Sequence, residues 1–353
     1  MNSNFGKIQS FFSAKRIIIP ILIGLSVALF FVFKDFDIEV FKAIRFNFSF
    51  WTWIFLALVF VAIRDFAYMV RLRMLTDKKI GWLQSFQVIM LWEFASSLTP
   101  SVVGGSAIAM FIINQENISL GRSTAIVMIT AIFDELFYIV TVPVFLLMAG
   151  FSNVFVKGSL SFIGMQMNVG LLFLVGYFFI VLLVLILSYG VFFRPYQMRY
   201  ILVSIFSIGF LKRWKFKATR TGNEIIIASR EYKDKTIFYW LKLFGITFAS
   251  WTSRFLVVNC IIAAVSSNTD HILVFARQLV MWVILLISPT PGGTGIAEFF
   301  FPVFLKEFIP VGLAPALALL WRAFSYYPYI FIGIIVLPIW FRRILKKRKS
   351  EQE

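Results

Sequence analysis

Ten charged residues fall in or beside long apolar runs, and any chemistry must lie among them: Asp65, Glu93, Asp134, Glu135 and Glu298, with Arg64, Lys242, Arg254, Arg277 and Arg322. One charge at the centre of a bilayer costs roughly 2.5–3.5 kcal/mol on insertion scales, so five unpaired basic groups would cost roughly 12–18 kcal/mol. That rivals the stability of a whole domain. These charges must pair, lose their charge or face water, and equal numbers of each sign make pairing feasible. Arg64-Asp65 sits near one end of its run and Lys242 near the start of its own, where both are expected to snorkel to the interface. Arg254, Asp134, Glu135 and Arg322 are mid-run. For these four, ion pairing between helices and contact with a polar solute both stay open. Asp134 and Glu135 are neighbours, so on a helix they point about 100° apart. One can meet an arginine while the other faces a cavity, where a buried carboxyl could carry a proton.

Two glycine-rich breaks accompany the charges. The first, SSLTPSVVGGSAIA from Ser96 to Ala109, contains Pro100, Gly104 and Gly105. The second, ISPTPGGTGIAE from Ile287 to Glu298, contains Pro291, Gly292, Gly293 and Gly295. Glycines there permit tight turns and close backbone approach, and N–H groups at a helix start in low dielectric suit an anion. A helix beginning near Gly295 puts Glu298 in its first turn, where it can cap the helix or bind a substrate group. Glu93 precedes the first break and is open to the same cavity or to tightening the turn. Neither break is a nucleotide signature, because the Lys-Ser/Thr or strand context is missing.

The elements that must position these residues are apolar helices. The 353-residue chain is 60% hydrophobic and only 14% charged, against about half apolar and a quarter charged in a soluble domain. Runs long enough to span a membrane occur at 17–33, 51–70, 123–149, 168–193, 237–265 and 312–341. The first reads as a retained span and not a signal peptide, since Lys34-Asp35 follows it in place of a small-x-small cleavage site. Regions 82–113 and 272–305 are apolar but broken by Pro and Gly, and read as re-entrant hairpins whose freed backbone groups must be satisfied by protein or trapped water, with a pair of ordinary spans joined by a tight turn as the alternative that the charge bias does not separate. Cys260 and His271 are single, which excludes an intrachain disulfide and makes cysteine- or histidine-based metal chemistry improbable.

The net charge of +17 is explained by orientation better than by nucleic acid. With the N-terminus cytoplasmic and six runs crossing, 24 of the 34 basic residues fall on the cytoplasmic side and 5 outside, the other 5 lying within runs. This bias fits the positive-inside rule, with both termini cytoplasmic in the cell inner membrane. Segment 194–236 is read as a basic interfacial stretch against anionic lipid or a solvated loop. Gly104-Gly105-Ser106-Ala107-Ile108-Ala109 parallels Gly292-Gly293-Thr294-Gly295-Ile296-Ala297 at an offset of 188 residues. The expected fold is therefore an all-α integral membrane protein with six full spans, two re-entrant hairpins and an inverted repeat. Residues 1–353 form one polytopic domain, with repeats at 51–149 and 237–341 and a charged tail at 342–353.

The second break, with Pro291, Gly292, Gly293, Gly295 and Glu298, resembles the flippase-like membrane domain family, whose best-known member is the membrane half of lysylphosphatidylglycerol synthase (MprF-type proteins). The resemblance covers about residues 15–340. The first break departs from the family pattern: Gly105 occupies a position that is often Glu, and no arginine follows before Arg122. The next span has Asp134-Glu135 without the family's arginine. The resemblance implies movement of an anionic, aminoacylated or polyprenyl-linked lipid between leaflets. Arg254, Arg277 and Arg322 would then be the phosphate partners. No catalytic motif and no cofactor is indicated, and no nucleic acid partner. An ion-coupled small-solute transporter, a lipid-modifying enzyme and a subunit that anchors a partner enzyme are the rival readings, and a homo-oligomer is open.

Overall fold

The computed structural model describes residues 39, 42, 44, 46–99, 101–155, 159–162, 165–209, 212, 215–267, 269–286, 290 and 292–350. The expected first span at 17–33, Pro100 and Pro291 lie outside the described residues. The chain is an all-α integral membrane protein. Five helical stretches are long and apolar enough to cross a membrane: Phe48–Leu75, Leu120–Ala149, Val169–Phe193, Ile237–Val265 and Ala314–Lys347.

In chain order the α-helices of ten or more residues are α1 (Phe48–Leu75), α2 (Trp82–Leu98), α3 (Ser101–Gln115), α4 (Leu120–Ala149), α5 (Val169–Ser188), α6 (Pro195–Ile205), α7 (Lys215–Lys233), α8 (Ile237–Val265), α9 (His271–Leu285), α10 (Ile296–Leu305), α11 (Ala314–Ser325) and α12 (Tyr327–Ser350). A short antiparallel pairing of Ser159–Phe162 with Met165–Asn168 joins α4 to α5. Short polar side chains start several of the long helices. Asn47 accepts from the Phe50 amide at 2.9 Å and Asp270 from the Ile272 and Leu273 amides at 3.0 Å, while Ser119, Asn168 and Thr236 cap in the same way. Each supplies an acceptor to a first-turn N–H that has no partner in its own helix.

α1 and α8 run along each other, α3 packs on α2 and α4, and α10 packs on α9 and α11. Side chains facing lipid are large and apolar, as on α5, where Leu171, Leu174, Phe178 and Leu185 are exposed. Two buried apolar clusters fill the interior. One holds Phe255, Phe301, Phe304 and Trp321, and the other Phe94, Tyr232, Tyr329 and Trp340.

The two ends of the molecule are distinguishable by charge. At the basic end, Arg122 pairs with Asp77 and with Glu231 (2.7 Å), Lys235 reaches Asp77 at 2.8 Å, and Arg343 binds Glu116. Burial acts to raise the Asp77 carboxyl, but hydrogen bonds from Lys235 and Arg122 outweigh it and hold the group below its ordinary range. α7 is anchored to this end: the Gly121 amide donates to Glu224 at 2.9 Å, and the Tyr232 hydroxyl donates to the Leu75 carbonyl at 2.5 Å. At the opposite end, Arg277 binds the Asn153 and Phe304 carbonyls at 3.0–3.1 Å and Glu307 at 2.8 Å.

The two broken regions enter from opposite ends. α2 starts beside the basic end of α1, where Arg73 donates to the Ile80 carbonyl at 3.2 Å, and α3 returns to Glu116 beside Trp340 and Arg343. α9 starts beside Trp53 near the other end of α1, and α10 returns to the carbonyls held by Arg277. At 10 residues, α10 is about 15 Å long, half of a hydrocarbon core about 30 Å thick.

The run at 312–341 is not one continuous helix. It breaks at Tyr326, with φ −134° and ψ −60°, between α11 and α12. Pro328, two residues on, has no N–H to continue the ladder of α11, and it stands in the first turn of α12, where none is needed.

Candidate functional site

Where the two apolar clusters meet, a partly open cavity of about 270 Å³ is lined by both hairpin tips and by α1, α4, α8, α11 and α12. Ser96, Ser97 and Thr99 come from the first tip, and Thr290, Gly292 and Gly293 from the second. The tips touch through Tyr326, at the α11–α12 break: its hydroxyl donates to the Ser97 carbonyl at 3.1 Å. Gly292 is fixed by that contact. Its φ is +56°, and a Cβ there would lie 2.4 Å from the Tyr326 ring and 3.1 Å from the Ser97 carbonyl. Only glycine adopts this backbone readily and leaves that space free.

Four arginines converge on this region, three of them paired. Arg322 binds Glu298 through Nε at 2.8 Å and Nη2 at 3.3 Å, and Nη2 also donates to the Gly292 carbonyl at 3.2 Å. Glu298 stands at the third position of α10 and accepts the Gly295 amide at 2.7 Å. It caps the helix and holds the arginine together. Arg71 binds Asp134 through both Nη atoms, and the Trp251 indole donates to Asp134 at 2.8 Å. Arg64 binds Glu93 and the Tyr329 hydroxyl, and lies 3.6 Å from Asp65. Tyr329 in turn donates to Asp65 at 2.9 Å.

Arg254 is different. Among the described residues no carboxylate lies within ion-pair distance of it, and its Nε is buried without a hydrogen-bond partner. Its guanidinium lies over Trp251 at 5.0 Å and Trp282 at 4.7 Å. Aromatic faces hold a cation by their quadrupoles without neutralising it. Glu135, buried on α4, is its acidic counterpart: Oε2 has no hydrogen-bond partner among the described residues.

The structure thus brings Glu93, Asp134, Glu135, Arg254 and Arg322 to one cavity, with Glu298 buried behind Arg322. It does not bring Arg277 there. That side chain closes the carbonyl end of α10 at the opposite end of the molecule, satisfying acceptors that a helix terminus leaves over. Asp134 and Glu135 divide as adjacent helical residues must, one on an arginine and one without a partner. Gly104 and Gly105 lie inside α3, whereas Gly292, Gly293 and Gly295 lie outside a helix with positive φ. The sequence parallel between them is therefore not a parallel of conformation.

One expectation needs correction: Arg64 does not snorkel; it is 2% exposed, because Glu93 and Tyr329 offer it partners in the interior. Arg71, one residue beyond the apolar run at 51–70 and absent from the charges first singled out, is a buried member of α1. The signal for both was periodic: Arg64, Tyr68 and Arg71 stand at i, i+4 and i+7, one face of a helix. Tyr68 lies under both guanidinium groups, at 5.2 and 4.7 Å.

Paired helical hairpins and a charged internal cavity among apolar helices define a polytopic membrane protein with an internal polar site. The chain belongs to the lysylphosphatidylglycerol synthase TM region family, whose model matches residues 17–333. It is similar to a UPF0104 membrane protein of Archaeoglobus fulgidus, 26% identical over 308 residues that cover 80% of this chain and 85% of the relative. The family is a membrane domain linked to lipid handling.

Proposed function

We propose that the chain translocates an anionic lipid between leaflets, passing the headgroup through the cavity while the acyl chains stay in the bilayer. The observation that carries this reading is Arg254, a half-buried cation with aromatic support and, among the described residues, no carboxylate within ion-pair distance, beside three arginines that are paired. A phosphate is the natural complement to a guanidinium fork. Size agrees: about 270 Å³ is below the ~300–1,000 Å³ typical of pockets that enclose a whole drug-sized ligand, and suits a headgroup without its chains. The opposed entry of the hairpins is the arrangement expected of an inverted repeat built for alternating access. On this reading the basic end is cytoplasmic, as positive-inside orientation requires, and the membrane is the cell inner membrane. The site acts by binding, with no catalytic step. Phospholipid is the partner that the site addresses.

The test is bleaching of a fluorescent anionic phospholipid in vesicles carrying the purified protein. Wild type should expose inner-leaflet lipid to the external reductant. Arg254→Ala removes a charge-assisted contact, with a net value of about 1.5–3 kcal/mol, so the rate should fall roughly 10- to 150-fold with insertion intact. Passage of a soluble anion without movement of lipid would favour the small-solute transporter instead.

A further inference from the structure

Among the described residues, five carboxylates and four arginines make up the buried and half-buried charge around the cavity, and all but one of the carboxylates have assigned donors. Asp65 accepts from Tyr329, Glu93 from Arg64, Asp134 from Arg71 and Trp251, and Glu298 from Arg322 and the Gly295 amide. Glu135 is 6% exposed and accepts from nothing among the described residues. About one helical turn further along α4, Tyr138 is fully buried and its hydroxyl also has no partner among the described residues. Tyr138 packs edge-on against Trp251 at 5.1 Å, and Trp251 carries Arg254 on its face.

We propose that Glu135 is a proton-carrying carboxyl, loaded from water in the cavity when an anionic headgroup binds there and unloaded when the headgroup leaves. This deepens the lipid-translocation reading and rests on it for the identity of the anion. With every group ionised, five acids against four arginines leave the region one negative charge in excess. Bringing in a phosphodiester would make that two. Taking up one proton on Glu135 offsets the added charge, so the complex has the same net charge as the empty cavity. Glu135 is the member that can do this at least cost, because protonating any of the other four would break a hydrogen bond or ion pair made by the charged form. Proton and anion then favour each other's binding by the same factor.

The groups that share the cavity with Glu135 are consistent with this. Asp134, on the same helix, is held by Arg71 of α1. Arg254 of α8 has no acid partner. Arg322 of α11 is committed to Glu298, and Glu93 of α2 to Arg64. Tyr68, Tyr326 and Tyr329 contribute hydroxyls or rings. Among the described residues, no cation is paired to Glu135, so a proton is the positive charge available to it.

The experiment uses the full chain in phosphatidylcholine nanodiscs, with a short-chain phosphatidylglycerol as probe, whose phosphodiester does not titrate near neutral pH. Infrared difference spectra should contain a protonated-carboxyl band that is absent in Glu135→Gln and that grows when the probe is added at fixed pH. Probe affinity should fall about tenfold per pH unit above the titration of that band in the wild type. It should be independent of pH in Glu135→Gln, and Glu135→Asp should restore the slope. A missing band, or equal pH slopes in wild type and Glu135→Gln, overturns the proposal. So does a preference for short-chain phosphatidylethanolamine that requires Glu135, since the carboxylate would then be reading an ammonium group. If the band and slope behave as expected and vesicles do not move lipid, the translocation reading fails and the proton site stands. Lipid movement by wild type and Glu135→Gln at the same rate at every pH removes the proton site and leaves translocation.

Discussion

The two hairpin tips begin from similar strings of residues and end as different devices. At the first, α2 ends at Leu98 and α3 begins at Ser101, so the turn is tight and its glycines are helical. Gly105 faces Ser96, where a Cβ would lie 2.2 Å from Oγ and 3.0 Å from Cα; this glycine lets two helices touch. At the second, residues 286–295 separate α9 from α10, three glycines take positive φ, and the loop presents the Gly292 carbonyl and Gly295 amide to one ion pair. A third glycine and an acid three residues after it turn a packing motif into a polar one. One tip is a wall, and the other is a charged latch.

The largest effect should come from breaking the latch. Removing one partner of a buried ion pair costs roughly 3–5 kcal/mol, because the other charge is left without compensation. Arg322→Ala and Glu298→Ala should therefore each lower the thermal midpoint sharply in detergent and abolish lipid movement. Replacing both with apolar residues of similar volume, Arg322→Met with Glu298→Leu, should recover much of the stability and none of the transport. If the double variant transports lipid, the latch serves only folding.

The glycines sharpen the contrast. Gly292→Ala meets the Tyr326 ring and the Ser97 carbonyl, and its backbone conformation alone costs a non-glycine residue roughly 1–2 kcal/mol. Overpacking adds about 1–3 kcal/mol. Gly105→Ala suffers a similar overpacking cost but gains about 1 kcal/mol of helix propensity. The first substitution should thus destabilise more than the second and should also impair transport, as read by thermal melts and lipid bleaching on the same preparations. Equal effects would mean that the two tips are doing the same thing.

Much of this was legible in the sequence, for physical reasons that apply unevenly. Apolar length declares a span, so α1, α4, α5 and α8 could be placed by runs alone. Helical geometry separated Asp134 from Glu135, and the Gly295–Glu298 spacing located the start of α10. Partnership was hidden. Arg71 meets Asp134 across 63 residues, and Arg64 meets Tyr329 across 265; no local pattern encodes which helix lies opposite. Arg71 was also masked by its own charge, which ended the apolar run one residue early. Arg277 was misleading for a related reason: an arginine in an apolar helix signals a buried acceptor, and here the acceptors are backbone carbonyls of a helix end. The α11–α12 break was signalled by Pro328, but a hydrophobic run is insensitive to one residue's backbone.

The smallest effect lies at the basic end, where the chemistry resembles that of the cavity but the surroundings are wet. Asp77 is tied to Lys235 and Arg122, yet its side chain is 38% exposed, and exposed pairs contribute about 0.2–1 kcal/mol. Its carboxyl is held below the ordinary range in the folded protein. The stabilisation is therefore complete above the unfolded value of about 3.9 and is lost as pH falls through the lower folded value. The difference in thermal midpoint between wild type and Asp77→Asn should be small and constant near neutral pH, shrink in acid, and shrink again with added salt. Arg322 variants should lose nearly the same stability at low and high salt, because the side chains of that pair are only 5% and 1% exposed and buried pairs are screened far less. If salt weakened both pairs equally, the cavity would be as wet as the surface, and the distinction between a latch and a clasp would fail.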